Sequence, residues 1–337
     1  MPRLNCIISG KLLQLPPRGY ALVLSIRMID PAYAIRNYHS DDFDSLLRLN
    51  LEVGKLDLTG RVISPKVLSE HLGRPTYLPE QDLFIVEEVG EVVGYIDVMP
   101  ELGIGRVVLD CLVHPGHRRK GLATELYRYA MHRAAELGAH VAHVNVAQDN
   151  VAAKNLLHKL GFRFVRRFLG LSLQLSEARL PDVEHSAPLC HHLRPGEEDK
   201  LTMIQNRSFA GTWGFNPNTL QDINYRVNLS DCSHRGVILA STKGKVIGYC
   251  WTTANLADAA PPHLRKGRIY MLGVAPEYQG KGIGRLLLLA GLSHLKSKGM
   301  EVAELTVDSQ SRAACSLYES VGFKVSSTTF WYEKTLD

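Results

Sequence analysis

The chain of 337 residues is poor in the features that would assign it from composition alone. Its six cysteines (Cys6, Cys111, Cys190, Cys232, Cys250, Cys315) are scattered, with no C-x-x-C pair and no metal-type Cys/His spacing. That excludes a disulfide scaffold and leaves no expected metal; reduced thiols fit a cytoplasmic protein. The adjacent His191 and His192 have no partner cluster near them in sequence. No apolar run reaches the roughly 20 residues of a membrane span, so no membrane partner is expected. A net charge of +5 comes without any Lys/Arg run or aromatic-basic ladder, which argues against nucleic acid and suits small anions. Residues 1–27 are basic and carry Ala21-Leu22-Val23-Leu24, but no apolar core leads into a small-residue cleavage site. This stretch reads as either a dispensable extension or a start codon set upstream of Met28.

What is present is ordinary globular material, 45% hydrophobic and 22% charged, in a length that suggests two domains. A repeat divides it. Pro115 and Pro276, Gly121 and Gly282, and Gly161 and Gly322 are each 161 positions apart, and the register holds for nearly fifty residues without a gap. Upstream, Val93-Gly94-Tyr95 matches Ile247-Gly248-Tyr249 at an offset of 154, so the second copy carries about seven extra residues, placed at 260–262. The expected organisation is an N-terminal extension (1–30), a first domain (31–176), a polar linker with Pro181 and Pro188 (177–189), and a second domain (190–337).

Each copy reads as α+β. In the first, a strand at 34–36 precedes a helix at 41–52, with Asp41 or Asp42 as its cap. A hairpin of 83–86 and 92–96, a strand at 107–113 and a helix at 121–137 follow. Then come a strand at 141–146, a helix at 151–160 and a strand at 162–168. The second copy repeats this order, its hairpin (237–240 and 246–252) turning at Lys243-Gly244.

In both copies a strand runs into a Gly-rich turn that opens a helix. The first N–H groups of a helix lack partners, and with the helix dipole they form an anion site suited to a pyrophosphate. Lys281 and Arg285 reinforce one turn; Arg118, Arg119 and Lys120 reinforce the other. A Rossmann site is excluded, because the glycines do not follow the first strand of a βαβ unit.

The order of elements and the motif Gln279-Gly280-Lys281-Gly282-Ile283-Gly284 resemble the GNAT acyltransferases, over nearly all of residues 34–334 and twice. The resemblance implies two tandem domains, each a mixed, mostly antiparallel sheet flanked by helices, with acetyl-CoA as co-substrate. It implies that Leu272, Gly273 and Val274 pair with the pantetheine arm, that Gln279 to Arg285 hold the pyrophosphate, and that Ser311 lies beside the cofactor. The counterparts in the first copy are Leu112, Val113, Arg118, Arg119, Lys120, Gly121, Leu122 and Ala123.

GNAT enzymes commonly place a tyrosine on the helix before the Gly-Phe pair, where it protonates the departing thiolate. Here that residue is Tyr318, while the first copy has Leu157 at the same offset. The second copy is therefore the expected catalyst. The first, with Asn150 and its basic turn, is expected either to bind a second acetyl-CoA or to serve as a packing partner. Tandem architecture with a competent second half resembles the mycothiol synthases, as does the stretch Asn206 to Gly211 followed by Trp213. That resemblance implies a small-molecule amine acceptor. Where it also implies a glutamate near the acceptor amine, this chain has Arg268, and Asp308 or a water is left as the base. Alternatives are a protein amine as acceptor, or a non-catalytic acyl-CoA sensor. A monomer or homodimer is expected.

Overall fold

The structure, a computed structural model, describes residues 30–56, 63–176, 190–254 and 265–336. Residues 1–29 of the expected extension, the linker at 177–189 and the extra loop at 260–262 lie outside the described residues. The first copy runs β1 (Tyr33–Asn37), α1 (Phe43–Leu56), α2 (Pro65–Leu72), α3 (Pro79–Asp82), β2 (Leu83–Glu88), β3 (Glu91–Glu101), β4 (Arg106–Val113), α4 (Leu122–Glu136), β5 (Val141–Ala147), α5 (Val151–Lys159) and β6 (Arg163–Gln174). The second runs β7 (Cys190–His192), α6 (Glu198–Phe209), α7 (Leu220–Val227), β8 (Val237–Thr242), β9 (Lys245–Ala254), β10 (Lys266–Val274), α8 (Ile283–Ser297), β11 (Val302–Asp308), α9 (Arg312–Val321) and β12 (Lys324–Thr335).

Local chemistry accounts for most boundaries. Both hairpins turn through two residues of positive φ, Val89-Gly90 (51° and 83°) and Lys243-Gly244 (48° and 75°), the twist that joins antiparallel strands closely. The expected aspartate cap of the first helix differs in detail. Asp42 ends a 3-10 turn (Ser40–Asp42), accepts the His39 N–H at 2.8 Å, and is held by Arg36 at 2.8 Å. The Arg36 guanidinium keeps its carboxyl below the usual range.

All twelve strands form one sheet, in the order β1-β2-β3-β4-β5-β12-β6-β11-β10-β9-β8-β7. Only β4·β5 and β10·β11 are parallel. The last strand of each copy has crossed to the other: β12 pairs with β5, and β6 with β11. At the centre β6 and β12 pair antiparallel, with Arg163 opposite Glu333 and Ser172 opposite Lys324. These two pairs exchange under the 161 offset, so the seam is self-complementary. It also explains why β6 outruns its expected end at residue 168: strands on both sides take up its backbone groups. The chain-order division after residue 176 therefore differs from the division of the sheet.

Packing follows the exchange. Tyr332 on β12 lies in the core of α4 and α5, while Leu171 and Leu173 on β6 lie in the core of α8 and α9. On the opposite face α1 and α2 cover β2 and β3, and α6 and α7 cover β8 and β9. No helix among the described residues is long and apolar enough to cross a membrane.

The exchange carries a test. Leu173→Ala should cost about 2–5 kcal/mol, as buried leucine truncations do. Hydrogen exchange should locate the loss in β8–β11 and α8, although Leu173 belongs to the first copy in chain order. Loss confined to β1–β5 would contradict the strand exchange.

Candidate active site

The phosphate-type turns have the same backbone in both halves. Gly282 (φ 80°) and Gly121 (φ 87°) are left-handed N-caps of α8 and α4, and neither helix start carries a side-chain cap. A Cβ built on Gly280, Gly282 or Gly121 meets nothing within 4 Å. The turns are therefore open cradles, and the first helical N–H groups face outward without partners from the helix itself. The preceding left-handed position is Gly280 (φ 72°) in one half and Arg119 (φ 68°) in the other. A non-glycine there costs about 1–2 kcal/mol, so the first half keeps a strained arginine where the second has relaxed glycine.

The side chains sort accordingly. Leu122 is buried in the first core; Ala123 packs partly against it, and Ile283 against the second. The cations stay outside: Lys281 Nζ lies 5.4 Å from the Tyr278 ring, Arg285 donates to Ser320 Oγ at 2.8 Å, and Lys120 donates to Tyr33 Oη at 2.5 Å. Gln279 Nε2 donates to the Val274 carbonyl at 3.1 Å, and Arg118 Nε to the Val113 carbonyl at 3.0 Å. The same bond closes both turns.

The strand before each turn splays from its parallel neighbour. β10 pairs with β11 only through Lys266, Gly267 and Arg268, then diverges, leaving one backbone edge of Leu272-Gly273-Val274 without a strand partner. The other edge is held by β9 (Cys250, Tyr249, Gly248). In the first half, β4 stays with β5 through Leu109 before Leu112 and Val113 are freed. A β-bulge makes the difference: Ile269 and Met271 face adjacent residues of β9, so Tyr270 is an extra residue, whereas β4 pairs with β3 without a shift. The second cleft thus opens earlier. The bulge leaves no mark in the residue pattern, so the place of Tyr270 as its extra residue is not visible from sequence.

Tyr318 lies on α9 at 8% exposure, its ring 5.8 Å from Phe323. Burial, with Cys250 and Cys315 beside it, pushes its phenol well above the ordinary value, so it keeps its proton throughout neutral pH. Leu157, on α5 in the first half, is 1% exposed and fills core space. Ser311 is the exposed N-cap of α9 and makes no side-chain cap bond. Asp308 is already engaged, by the Gln310 N–H at 2.9 Å and Arg166 at 3.3 Å, so it is occupied as a turn former rather than free as a base. Arg268 is exposed and donates to Thr306 Oγ1 at 2.9 Å.

A cavity of about 770 Å³ lies between the halves, lined from one side by His71, Arg74 and Tyr77 and from the other by Trp251, Tyr270 and Met271. Tyr270 Oη accepts from Arg226, and Asp97, 1% exposed, holds His71 at 2.6 Å. Trp213, on the loop after α6, reaches across the central strands to His143, Phe168 and Trp331, with ring centres 5.2–6.0 Å away. Arg106 of β4 donates to the Gly214 carbonyl at 2.8 Å, tying this loop to the first half.

The Acetyltransferase (GNAT) family matches residues 61–162 and 199–323. A mycothiol acetyltransferase of Nocardia farcinica is 31% identical over 71% of this chain and 78% of its own length; that of Kocuria rhizophila is 33% identical over 69% and 78%. Among solved structures, a GCN5-related N-acetyltransferase from Sphaerobacter thermophilus superposes with a TM-score of 0.70 at 21% identity, covering 92% of this chain and 97% of that one. A tandem GNAT protein of the clavulanic acid biosynthesis pathway gives 0.65 at 18%, covering 90% and 99%. These two likenesses concern the fold.

Gly282→Glu tests the turn. A fixed negative charge at this helix start, in a left-handed conformation, should weaken acetyl-CoA binding at the second half more than about tenfold while the fold persists. Unchanged affinity by calorimetry would remove the turn from the site.

Proposed function

The chain belongs to the GNAT acetyltransferase family and is an N-acetyltransferase, and from that premise we propose that its second half moves the acetyl group of acetyl-CoA to the primary amine of a small molecule, with Tyr318 as general acid. The division of labour follows the chain-order domains: 31–176 non-catalytic, 190–337 catalytic. The observation that carries the reading is the asymmetry of two otherwise matched clefts. One has an earlier splay, a bulge and a buried phenol; the other has Leu157.

The free edge of Leu272-Gly273-Val274 suits an extended amide-bearing arm, and the Gly280–Gly282 turn suits the pyrophosphate. The acceptor amine attacks as the neutral form: its nitrogen bonds to the thioester carbon, the carbon–sulfur bond breaks, and the sulfur takes its proton from Tyr318. The amine's surplus proton leaves through water, which returns one to the Tyr318 phenolate, since Asp308 is engaged and Arg268 is a cation. The cavity between the halves supports a small acceptor over a protein chain, and the mycothiol acetyltransferases among the relatives support an amine of a mycothiol-synthase-like kind.

For the first half we propose binding of a second acetyl-CoA without turnover, supported by its open turn and by the strain retained at Arg119. Calorimetry should then find two equivalents of acetyl-CoA. Arg118→Ala with Arg119→Ala should remove one and spare turnover. A single equivalent in the unaltered protein would leave the first half as scaffold.

Tyr318→Phe removes one oxygen and keeps the ring, so affinity should hardly change while the acetylation rate falls by about 10²–10⁴. In the unaltered enzyme the alkaline side should stay flat to about pH 10, where an unburied phenol would be half ionised; the raised pKa delays loss of the acid form to higher pH. Full activity in Tyr318→Phe would end the assignment.

A further inference from the structure

His191 and His192 are isolated in the sequence but not in the fold. A cavity of about 620 Å³ opens at the outer edge of the second half, lined by His192 at the end of β7 and Arg194 after it, His234 and Arg235 before β8, and His294 and Lys298 at the end of α8. No acidic residue lines it among the described residues. Two carboxylates beside it are engaged. Glu197 pairs with Lys200 at 2.9 Å and His191 at 3.4 Å, and Glu198 pairs with His234 at 2.7 Å.

That leaves Arg194, Arg235 and Lys298 lining one cavity with no counter-ion among the described residues. The His192 and His294 rings lie 5.4 Å apart. Burial, together with His192, Lys298 and Arg235, lowers the His294 pKa to about 4, so its imidazole stays neutral at pH 7. A neutral imidazole can still donate one N–H.

Helix capping does not account for the cations. The last carbonyls of α8 already accept backbone N–H groups: His294 from Lys298 at 3.1 Å, Leu295 from Met300 at 3.1 Å, and Lys296 from Gly299 at 3.0 Å. A metal does not account for them either. Among the described residues no group of three or more His, Cys, Asp or Glu converges, and fixed cations repel a metal ion. Mutual repulsion among like charges is relieved by an anion seated between them.

We propose that this cavity binds a multiply charged oxyanion of the phosphate or pyrophosphate class. It lies apart from both glycine turns. The turn of the second half begins α8 and the cavity lies at its end, 15 residues and about 22 Å away. The site does not depend on acetyl transfer.

The test uses inorganic pyrophosphate and the full chain carrying Gly282→Glu, Arg118→Ala and Arg119→Ala, which silence the two turns. Calorimetry should still register one equivalent, weakened by added salt. Arg235→Ala with Lys298→Ala should lower the affinity about tenfold, as the loss of two solvent-exposed charge contacts would. Both residues are exposed, so these changes leave the fold intact. The charge-conserving Arg235→Lys should retain binding within a few-fold. No binding at about millimolar pyrophosphate, or binding indifferent to the Arg235 and Lys298 changes, would overturn the proposal.

Discussion

Each half of this molecule is completed by the last strand of the other. β6 and β12 occupy equivalent places in the duplicated sequence, pair with each other at the centre, and deliver their apolar side chains to opposite cores. Everything else is suspended from that seam. It joins ten other strands into one sheet, and it sets Trp331 beneath Trp213, so that the loop after α6 is anchored on the first half. A cavity bounded by both copies exists because neither copy has a complete sheet without the other.

Duplication followed by divergence explains the two clefts better than two independent origins would. The backbone device was kept: a left-handed glycine cap, an open helix start, and a side chain folded onto the carbonyl five residues back. What changed lies around it. A single extra residue in β10 moves the point of splay and turns Tyr270 toward the cavity, and one helix keeps a phenol where the other packs a leucine. The two clefts thus differ without any alteration of the glycine turn that caps each helix. Burial of Tyr318 fits the proposed division, since a phenol that cannot easily ionise is available as a donor.

Charge is distributed with a similar economy of position. Beside the cavity between the halves, one oxygen of the buried Asp97 is met by His71 and Arg74. At the far end of α8 the cations have no counter-ion among the described residues. The two ends of one helix thus present different groups to solvent: backbone N–H groups at the start, and side-chain cations at the end.

The sequence by itself determined the duplication, the order of the repeated strands and helices apart from α2, α3 and α7, both turns and the contrast between Tyr318 and Leu157. These are local matters. Hydrophobic period, glycine at positive φ and a constant offset are written in neighbouring residues, and the elements formed where those signals lay. Tertiary structure alone decided the exchange of β6 and β12. The two strands hold the same place in the repeat, so no local pattern distinguishes pairing with one's own copy from pairing with the other. It also decided the bulge at Tyr270, the engagement of Asp308 by Arg166, and the company that His191 and His192 keep. Each joins residues far apart in the chain, and such a meeting is fixed by how a sheet closes and packs, which spacing along one segment does not encode.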